Sequence, residues 1–351
     1  MKIGIACNAF GYSGGFERYA LDLVNGLQRM GITPTFFARR FDTALAEYRM
    51  IEPVEIKVGW LPGKLRDGAF SRALEKKKAR HGIELLIGCN RNTASDVAVC
   101  GGTHRGYLAA SGKAAGFWDS RQIALEERFY ANARRVIAHS ALMAKELTTL
   151  YQVPATKLAT LYPPVSGERF VTVDDEQRRA LRRRFGLPDD KVVFVFPSSS
   201  HQRKGLPVLR AAFERSGLPV LLAVVGRPLD KPGRNLIDLG YQKHIEQLYQ
   251  AADYTILASS YEPFGLVGIE SALCGTPLVL ADNIACTEVL SDAACLRFDR
   301  EQPATLEAAL AEAVRRVGAG AARLAEPRRE IRYDADVTRH VEQLLACAGL
   351  R

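Results

Sequence analysis

The chain has 351 residues, of which 47% are hydrophobic and 25% charged. That is the balance of an ordinary globular protein, and at roughly 100–200 residues per domain the length implies two domains. The composition excludes a disordered, collagenous or disulfide-stapled chain, and no uninterrupted apolar run approaches the roughly 20 residues needed to cross a bilayer. The net charge of +9 lies wholly in the first half: residues 1–165 hold 23 Lys+Arg against 14 Asp+Glu, and residues 166–351 hold 25 of each. A field of this sidedness favours a phosphorylated substrate or an anionic membrane surface. Nucleic acid is disfavoured, because no binding motif or aromatic-basic interleaving accompanies the charge.

Residues 1–15 contain a short apolar stretch and then a glycine-rich turn, not the longer apolar segment and cleavage site of a signal peptide. A cytoplasmic chain is therefore expected. Its seven cysteines are scattered and never form a C-x-x-C pair, which points to small buried hydrophobes and to neither disulfides nor a zinc site.

In chain order, residues 2–8 form a first buried strand. A helix follows with Ala20, Leu23, Val24, Leu27 and Met30 at spacings of three and four, the helical period, and Gly31 stops it. Further strands are expected at 33–38, 84–89, 98–100 and 136–138, with helices near 70–80, 123–132 and 141–150. The prolines of Tyr162-Pro163-Pro164-Val165 interrupt the alternation and mark a linker. The pattern then resets. Strands are expected at 191–197, 220–225, 236–238, 254–258 and 277–281, with helices at 206–216, 244–251 and 270–273. Alternating strands and helices imply parallel sheets covered on both faces. The fold expectation is α/β, with two Rossmann-like domains facing each other across a cleft. The boundaries are placed at 1–165, 166–335 and a C-terminal helical segment 336–351.

In such sheets ligands bind beyond the carboxyl ends of strands, so three loops draw interest. Ser198-Ser199-Ser200-His201-Gln202-Arg203-Lys204-Gly205 follows a strand and precedes a helix. Arg203 and Lys204 suit a diphosphate, with the helix start adding partial positive charge. An exposed Arg-Lys pair is the alternative for the dipeptide alone. In Ser260-Tyr261-Glu262-Pro263-Phe264-Gly265-Leu266-Val267-Gly268-Ile269-Glu270, Glu262 stays in the loop and Glu270 enters the next helix. Two carboxylates that accept and never donate suit sugar hydroxyls, and amides of Phe264, Gly265, Leu266 and Val267 suit anionic oxygens. The alternative is a solvent-facing turn residue and an exposed helix position. In the third loop, Gly14 and Gly15 let the backbone approach a ligand, although the G-x-G-x-x-G fingerprint of dinucleotide sites is absent.

The segment from 240 to 290, with E-P-F-G-x-x-x-x-E followed by C-G-T-P, resembles the family 4 retaining glycosyltransferases of GT-B fold, and the Gly-Gly turn, Tyr162-Pro163-Pro164-Val165, the R-K-G loop and this segment occur in the order of that family. The layout is most similar to bacterial lipopolysaccharide core glucosyltransferases. The resemblance implies that Arg203 and Lys204 hold the donor diphosphate, Glu262 the transferred sugar and Glu270 the ribose. It implies that Gly14 and Gly15 lie near phosphate and sugar, and that His104 lies near the reacting sugar. Ile284-Ala285-Cys286 stands where the family usually has a glycine-rich turn. The first domain would be the acceptor side, and the last helix would cross back onto it.

The expected reaction is retaining transfer of a hexose from a nucleotide diphosphate sugar, UDP-sugar favoured, to an anionic glycan or glycolipid acceptor. Lipopolysaccharide core or a lipid-linked saccharide would qualify, with peripheral contact on the inner face of the cytoplasmic membrane. Neither cofactor nor metal is expected. A nucleotide-sugar epimerase of the same shape and a non-catalytic sugar-nucleotide binder are the alternatives.

Overall fold

The structure, a computed structural model, describes residues 1–12 and 14–349. Ser13, within the first glycine turn, lies outside the described residues, as do Leu350 and Arg351 at the end of the expected C-terminal segment. The chain divides into two compact units, one made of residues 1–166 with 334–351 and the other of residues 167–333.

The first unit contains β1 (Ile3–Ala6), α1 (Gly15–Arg29), β2 (Thr35–Ala38), β3 (Glu52–Glu55), α2 (Arg66–Arg80), β4 (Leu85–Gly88), β5 (Val97–Cys100), α3 (His104–Ser111), α4 (Phe117–Asn132), β6 (Arg135–Ala138), α5 (Ala141–Tyr151) and β7 (Leu158–Thr160). Its strands are all parallel, in the order β3-β2-β1-β4-β5-β6-β7. The order reverses between β1 and β4, so the crevice where such sheets take ligands opens there. The apolar stripe of α1 is buried at Ala20, Leu23, Val24 and Leu27, each burial contributing about 1.5–3 kcal/mol for the larger side chains. Met30, expected on the stripe, instead caps the helix at its exposed end.

The second unit contains α6 (Asp175–Arg184), β8 (Val192–Ser198), α7 (His201–Lys204), α8 (Leu206–Arg215), β9 (Val220–Gly226), β10 (Leu236–Asp238), α9 (Ile245–Ala251), β11 (Tyr254–Leu257), α10 (Leu266–Leu273), β12 (Leu278–Ala281), β13 (Cys295–Phe298) and α11 (Pro303–Gly318). This sheet too is wholly parallel, in the order β10-β9-β8-β11-β12-β13, and reverses between β8 and β11. Strands β3, β7 and β13 and helices α3, α6, α7 and α11 were not expected from the sequence, which reads 198–205 as a loop.

The last helix, α12 (Val337–Cys347), belongs to the first unit and packs on α1. A Cβ on Gly26 would lie 2.5 Å from the Val341 Cγ2 atom, so glycine is what lets the two helices approach. Across the same contact Tyr19 and His340 are hydrogen-bonded at 2.8 Å. The Tyr162 carbonyl is also a partner of that ring. A carbonyl only accepts, so the ring nitrogen facing Tyr162 carries the proton; burial keeps the ring neutral, and Nε2 then accepts from the tyrosine hydroxyl. His139 is buried against the Tyr19 ring, with centroids 4.6 Å apart.

Burial pulls the His139 pKa down to about 3 and that of His340 to about 4. Unfolding returns both to about 6.5, so the unfolded chain binds more protons and stability falls as pH drops from about 6.5 toward 4. Thermal melts are expected to show Tm declining across that window. In His340→Gln the decline is expected to be shallower, and an unchanged slope would mean that His340 does not contribute to it.

Candidate functional site

The loops leaving β8 and β11 meet over the reversal in the second sheet. Gly205 ends α7 at φ +86, and a Cβ there would sit 2.0 Å from the Ala258 carbonyl oxygen, so only glycine fits both the dihedral and the space. Two backbone bonds knit the loops: Ala258 N–H donates to the Lys204 carbonyl (3.3 Å) and Ser260 N–H to that of Arg203 (2.9 Å).

These bonds bring together residues 58 positions apart in sequence. Lys204 Nζ donates to Glu262 Oε2, Ser259 Oγ donates to the same oxygen at 3.2 Å, and Arg203 Nη1 lies 3.8 Å from it. The Lys204 and Glu262 side chains are 11% and 13% exposed, and that of Arg203 is 35% exposed. Neither an exposed Arg-Lys pair nor a solvent-facing Glu262 describes this geometry. Two donors and the more open Arg203 guanidinium converge on one carboxylate oxygen.

Helix α10 begins at Leu266, earlier than the expected start at Glu270. Gly265 precedes it at φ +94 and offers no side-chain cap, so the amides of Leu266 and Val267 open the helix with its positive end toward the loop. Phe264 is buried, its ring edge-on to Tyr333 at 6.2 Å between centroids. Glu270 is buried on α10 and accepts a hydrogen bond from the Tyr249 hydroxyl at 3.3 Å. An exposed helix position is thereby ruled out for it.

The sequence singled out Ile284-Ala285-Cys286 as a departure from the family pattern, but gave no sign that this segment braces the loop. Asn283 Nδ2 donates to the carbonyls of Ser259 and Ser260, each at 3.1 Å. The amides of Ala285 and Cys286 donate to the carbonyls of Glu262 (3.3 Å) and Phe264 (2.7 Å). Thus Ile284-Ala285-Cys286 forms a rigid backing, and Gly268 makes room for the Cys286 sulfur, which a Cβ would approach to 2.5 Å. Burial pushes the Cys286 thiol far up, leaving it neutral and unreactive. His201 was also missed: it contacts the Pro228 carbonyl through Nε2 and Ser198 Oγ through Nδ1, both at 2.9 Å. The polar pattern S-S-S-H was the only signal for it.

The remaining candidates lie in the first unit. Gly14 is the N-cap of α1 in extended backbone open to any residue, and a Cβ on Gly15 would meet nothing within 4 Å. The protein's own packing therefore does not require glycine at Gly15, whereas a Cβ on Gly14 would lie 2.7 Å from the Glu17 carboxylate. His104 opens α3. Its Nε2 lies 2.8 Å from Asp119 Oδ1, and its amide donates to Glu126 Oε2 at 2.9 Å. Among the described residues there is no group of three or more His, Cys, Asp or Glu able to hold a metal ion.

Two doubly wound parallel sheets, with cationic loops and glycine turns over the strand reversal, define the class: an α/β protein built from two Rossmann-like units. The sequence narrows it further. Residues 13–169 match the profile "Glycosyltransferase Family 4" and residues 177–318 match "Glycosyl transferases group 1". A "probable transglycosylase" of Burkholderia thailandensis is 51% identical over 99% of this chain and 97% of its own length. A D-inositol 3-phosphate glycosyltransferase of Catenulispora acidiphila is 32% identical over 46% of this chain and 44% of its own length.

Among solved structures, WaaG, a glycosyltransferase involved in lipopolysaccharide biosynthesis, superposes with TM-score 0.76 at 17% identity, covering 93% of this chain and 98% of that one. Anabaena HepE in complex with UDP and glucose gives TM-score 0.77 at 17% identity, covering 99% of both chains. The chain belongs to the glycosyltransferase family described by these two profiles, and its fold is GT-B.

Proposed function

We propose that this glycosyltransferase moves a hexose, with retention at the anomeric carbon, from a nucleotide diphosphate sugar to a bacterial saccharide acceptor, with UDP-sugar the favoured donor. The observation that carries the reading is the convergence of Arg203 and Lys204 on Glu262 at the strand reversal. Departure of the nucleotide builds negative charge on the diphosphate. Arg203, Lys204 and the amides of Leu266 and Val267 are fixed before the reaction, so they stabilise that charge without reorganising. This role falls to protein groups alone, with no cofactor or metal assigned. All three contacts to Glu262 converge on Oε2, and Oε1 is the oxygen that accepts from hexose hydroxyls. Glu270, which accepts and never donates, takes the ribose hydroxyls.

In the first unit, Gly14 and Gly15 admit phosphate and sugar close to the start of α1, and His104 stands near the reacting sugar. The departing phosphate oxygen takes the acceptor proton, so Glu262 is no covalent nucleophile. A thermal-shift panel of UDP-, GDP-, ADP- and TDP-sugars tests the reading. UDP-sugars are expected to raise Tm most, and no shift with any of the four would contradict it. Incubation with donor alone separates an epimerase, which would isomerise the sugar.

No helix among the described residues is long and apolar enough to cross a membrane, and the membrane contact we propose is peripheral. Trp60 and Phe117 are 80% and 68% exposed, with Leu65 and Trp118 also exposed. Lys64 lies 5.1 Å from the Trp118 ring centroid, and Arg121 lies 5.9 Å from those of Phe117 and Trp118. Amphipathic aromatics beside cations suit an anionic lipid surface. Flotation with phosphatidylglycerol vesicles at low salt is expected to carry the wild-type chain up and to leave most of Trp60→Ser/Phe117→Ser behind. Equal flotation of both would reject the patch.

A further inference from the structure

His104 is held twice, once by its backbone and once by its ring. Its amide donates at 2.9 Å to Glu126 Oε2, an oxygen that also accepts from the Tyr151 hydroxyl. Glu126 is buried, and its other oxygen accepts from Arg91 at 2.7 Å. The positive end of α3 is thus met by a fixed anion. Thr103 closes the turn, its Oγ1 accepting from the Gly106 amide at 3.0 Å. His104 therefore enters its helix with little freedom to move.

The ring is clamped from α4. Its Nε2 lies 2.8 Å from Asp119 Oδ1, and the other oxygen of that carboxylate accepts from the Gly116 amide at 2.9 Å. The Gly116 amide and the imidazole together hold the Asp119 pKa below the usual value. The carboxylate is thus ionised at neutral pH and can only accept. Nε2 must then carry a proton, which in the neutral ring leaves the lone pair on Nδ1. The His104 side chain is 18% exposed, and Nδ1 forms no hydrogen bond among the described residues.

We propose that Asp119 is a positioning residue: it fixes His104 in the Nε2–H tautomer, so that Nδ1 accepts a hydrogen bond from a hydroxyl of the transferred hexose. The competing role is a simple clip between α3 and α4, and one pair of substitutions tells the two apart. Asp119→Asn keeps the size of the side chain and both hydrogen-bonding positions. The Gly116 amide only donates, so it claims the asparagine oxygen and turns the NH2 group toward His104. Nε2 then has to accept, and the ring proton moves to Nδ1; exchanging an orienting carboxylate for an amide keeps the geometry and reverses the tautomer. A sugar hydroxyl can rotate to accept from Nδ1–H, but its own hydrogen then loses its acceptor. Asp119→Ala imposes no tautomer and leaves the ring free to keep its proton on Nε2. For a clip, alanine is the more damaging change. For a tautomer lock, asparagine is.

The inference rests on the chain binding a nucleotide diphosphate sugar, and its test separates the two. Affinities for UDP-glucose and for UDP are measured by calorimetry on the full chain for wild type, Asp119→Asn and Asp119→Ala, with Tm confirming that each is folded. Proton–nitrogen correlation spectra of the imidazole rings report the His104 tautomer, its signals assigned by their loss in His104→Gln. UDP is expected to bind all three chains equally. UDP-glucose is expected to bind about tenfold more weakly to Asp119→Asn and about threefold more weakly to Asp119→Ala, the range for one net hydrogen bond. The His104 proton is expected on Nε2 in wild type and on Nδ1 in Asp119→Asn. With UDP still bound, unchanged UDP-glucose affinity in Asp119→Asn, a larger loss in Asp119→Ala, or a proton that stays on Nε2 in Asp119→Asn overturns the inference and leaves the donor reading standing. Wild type that fails to bind UDP-glucose defeats the donor reading, and this inference with it.

Discussion

Lys204→Ala is expected to lower kcat about 100- to 1,000-fold, the loss seen when one preorganised donor to developing charge is removed, about 2.7–4 kcal/mol. The structure adds a second effect. Lys204 is buried against Glu262, and truncating one partner of a buried pair leaves the other carboxylate poorly compensated, at a cost of up to about 3–5 kcal/mol. Tm should therefore fall together with kcat. The two effects separate in Lys204→Met/Glu262→Gln, which removes both charges while keeping most of the volume. That double variant is expected to recover Tm and not turnover. If turnover returned with Tm, the lysine would be a structural ion-pair member and its catalytic assignment would fail.

Gly205→Ala is expected to damage the second unit more than any other single methyl addition near the site. The new Cβ would sit 2.0 Å from the Ala258 carbonyl oxygen, in a backbone conformation with φ +86. Either α7 moves away from the β11 loop or the dihedral changes. Both routes break the bonds from Ala258 N–H to Lys204 and from Ser260 N–H to Arg203, which hold the cations against Glu262. Circular dichroism melts should show a Tm loss of several degrees, and donor affinity should drop at least tenfold. Gly15→Ala, whose Cβ meets nothing within 4 Å, is the matched control for stability. Normal melting and donor affinity in Gly205→Ala would mean that the two loops are not locked together as described.

The contrast between these residues shows what a sequence can and cannot carry. The R-K-G and E-P-F-G loops were legible because each follows a buried apolar run and contains glycines where the chain must turn. Their pairing was not legible. Lys204 and Glu262 are joined only through the strand order, which places β11 beside β8 instead of β9 or β10, and no local pattern encodes that neighbour. Burial of Glu270 was hidden for a similar reason, since its partner Tyr249 lies on a different helix.

The missed elements have local explanations. In β3 only Val54 of Glu-Pro-Val-Glu is buried, and as the edge strand it tolerates proline and shows no apolar run. Helix α6 reads Asp-Glu-Gln-Arg-Arg-Ala-Leu-Arg-Arg-Arg with Arg182 its one buried residue, so hydrophobic periodicity had nothing to detect. Its Asp174 cap, acidic first turn and basic last turn were the available signal. The brace at Ile284-Ala285-Cys286 works through backbone amides, which any sequence would supply.

Arg203 and Lys204 are proposed to neutralise a pyrophosphate as its bond to the sugar breaks. A crystal structure of the full chain soaked with a non-hydrolysable UDP-hexose tests this role most directly. Phosphate oxygens are expected within hydrogen-bond distance of the Arg203 guanidinium and Lys204 Nζ, with Glu262 Oε1 on a hexose hydroxyl. Well-ordered ligand bound elsewhere, with the Lys204–Glu262 pair undisturbed, would contradict it.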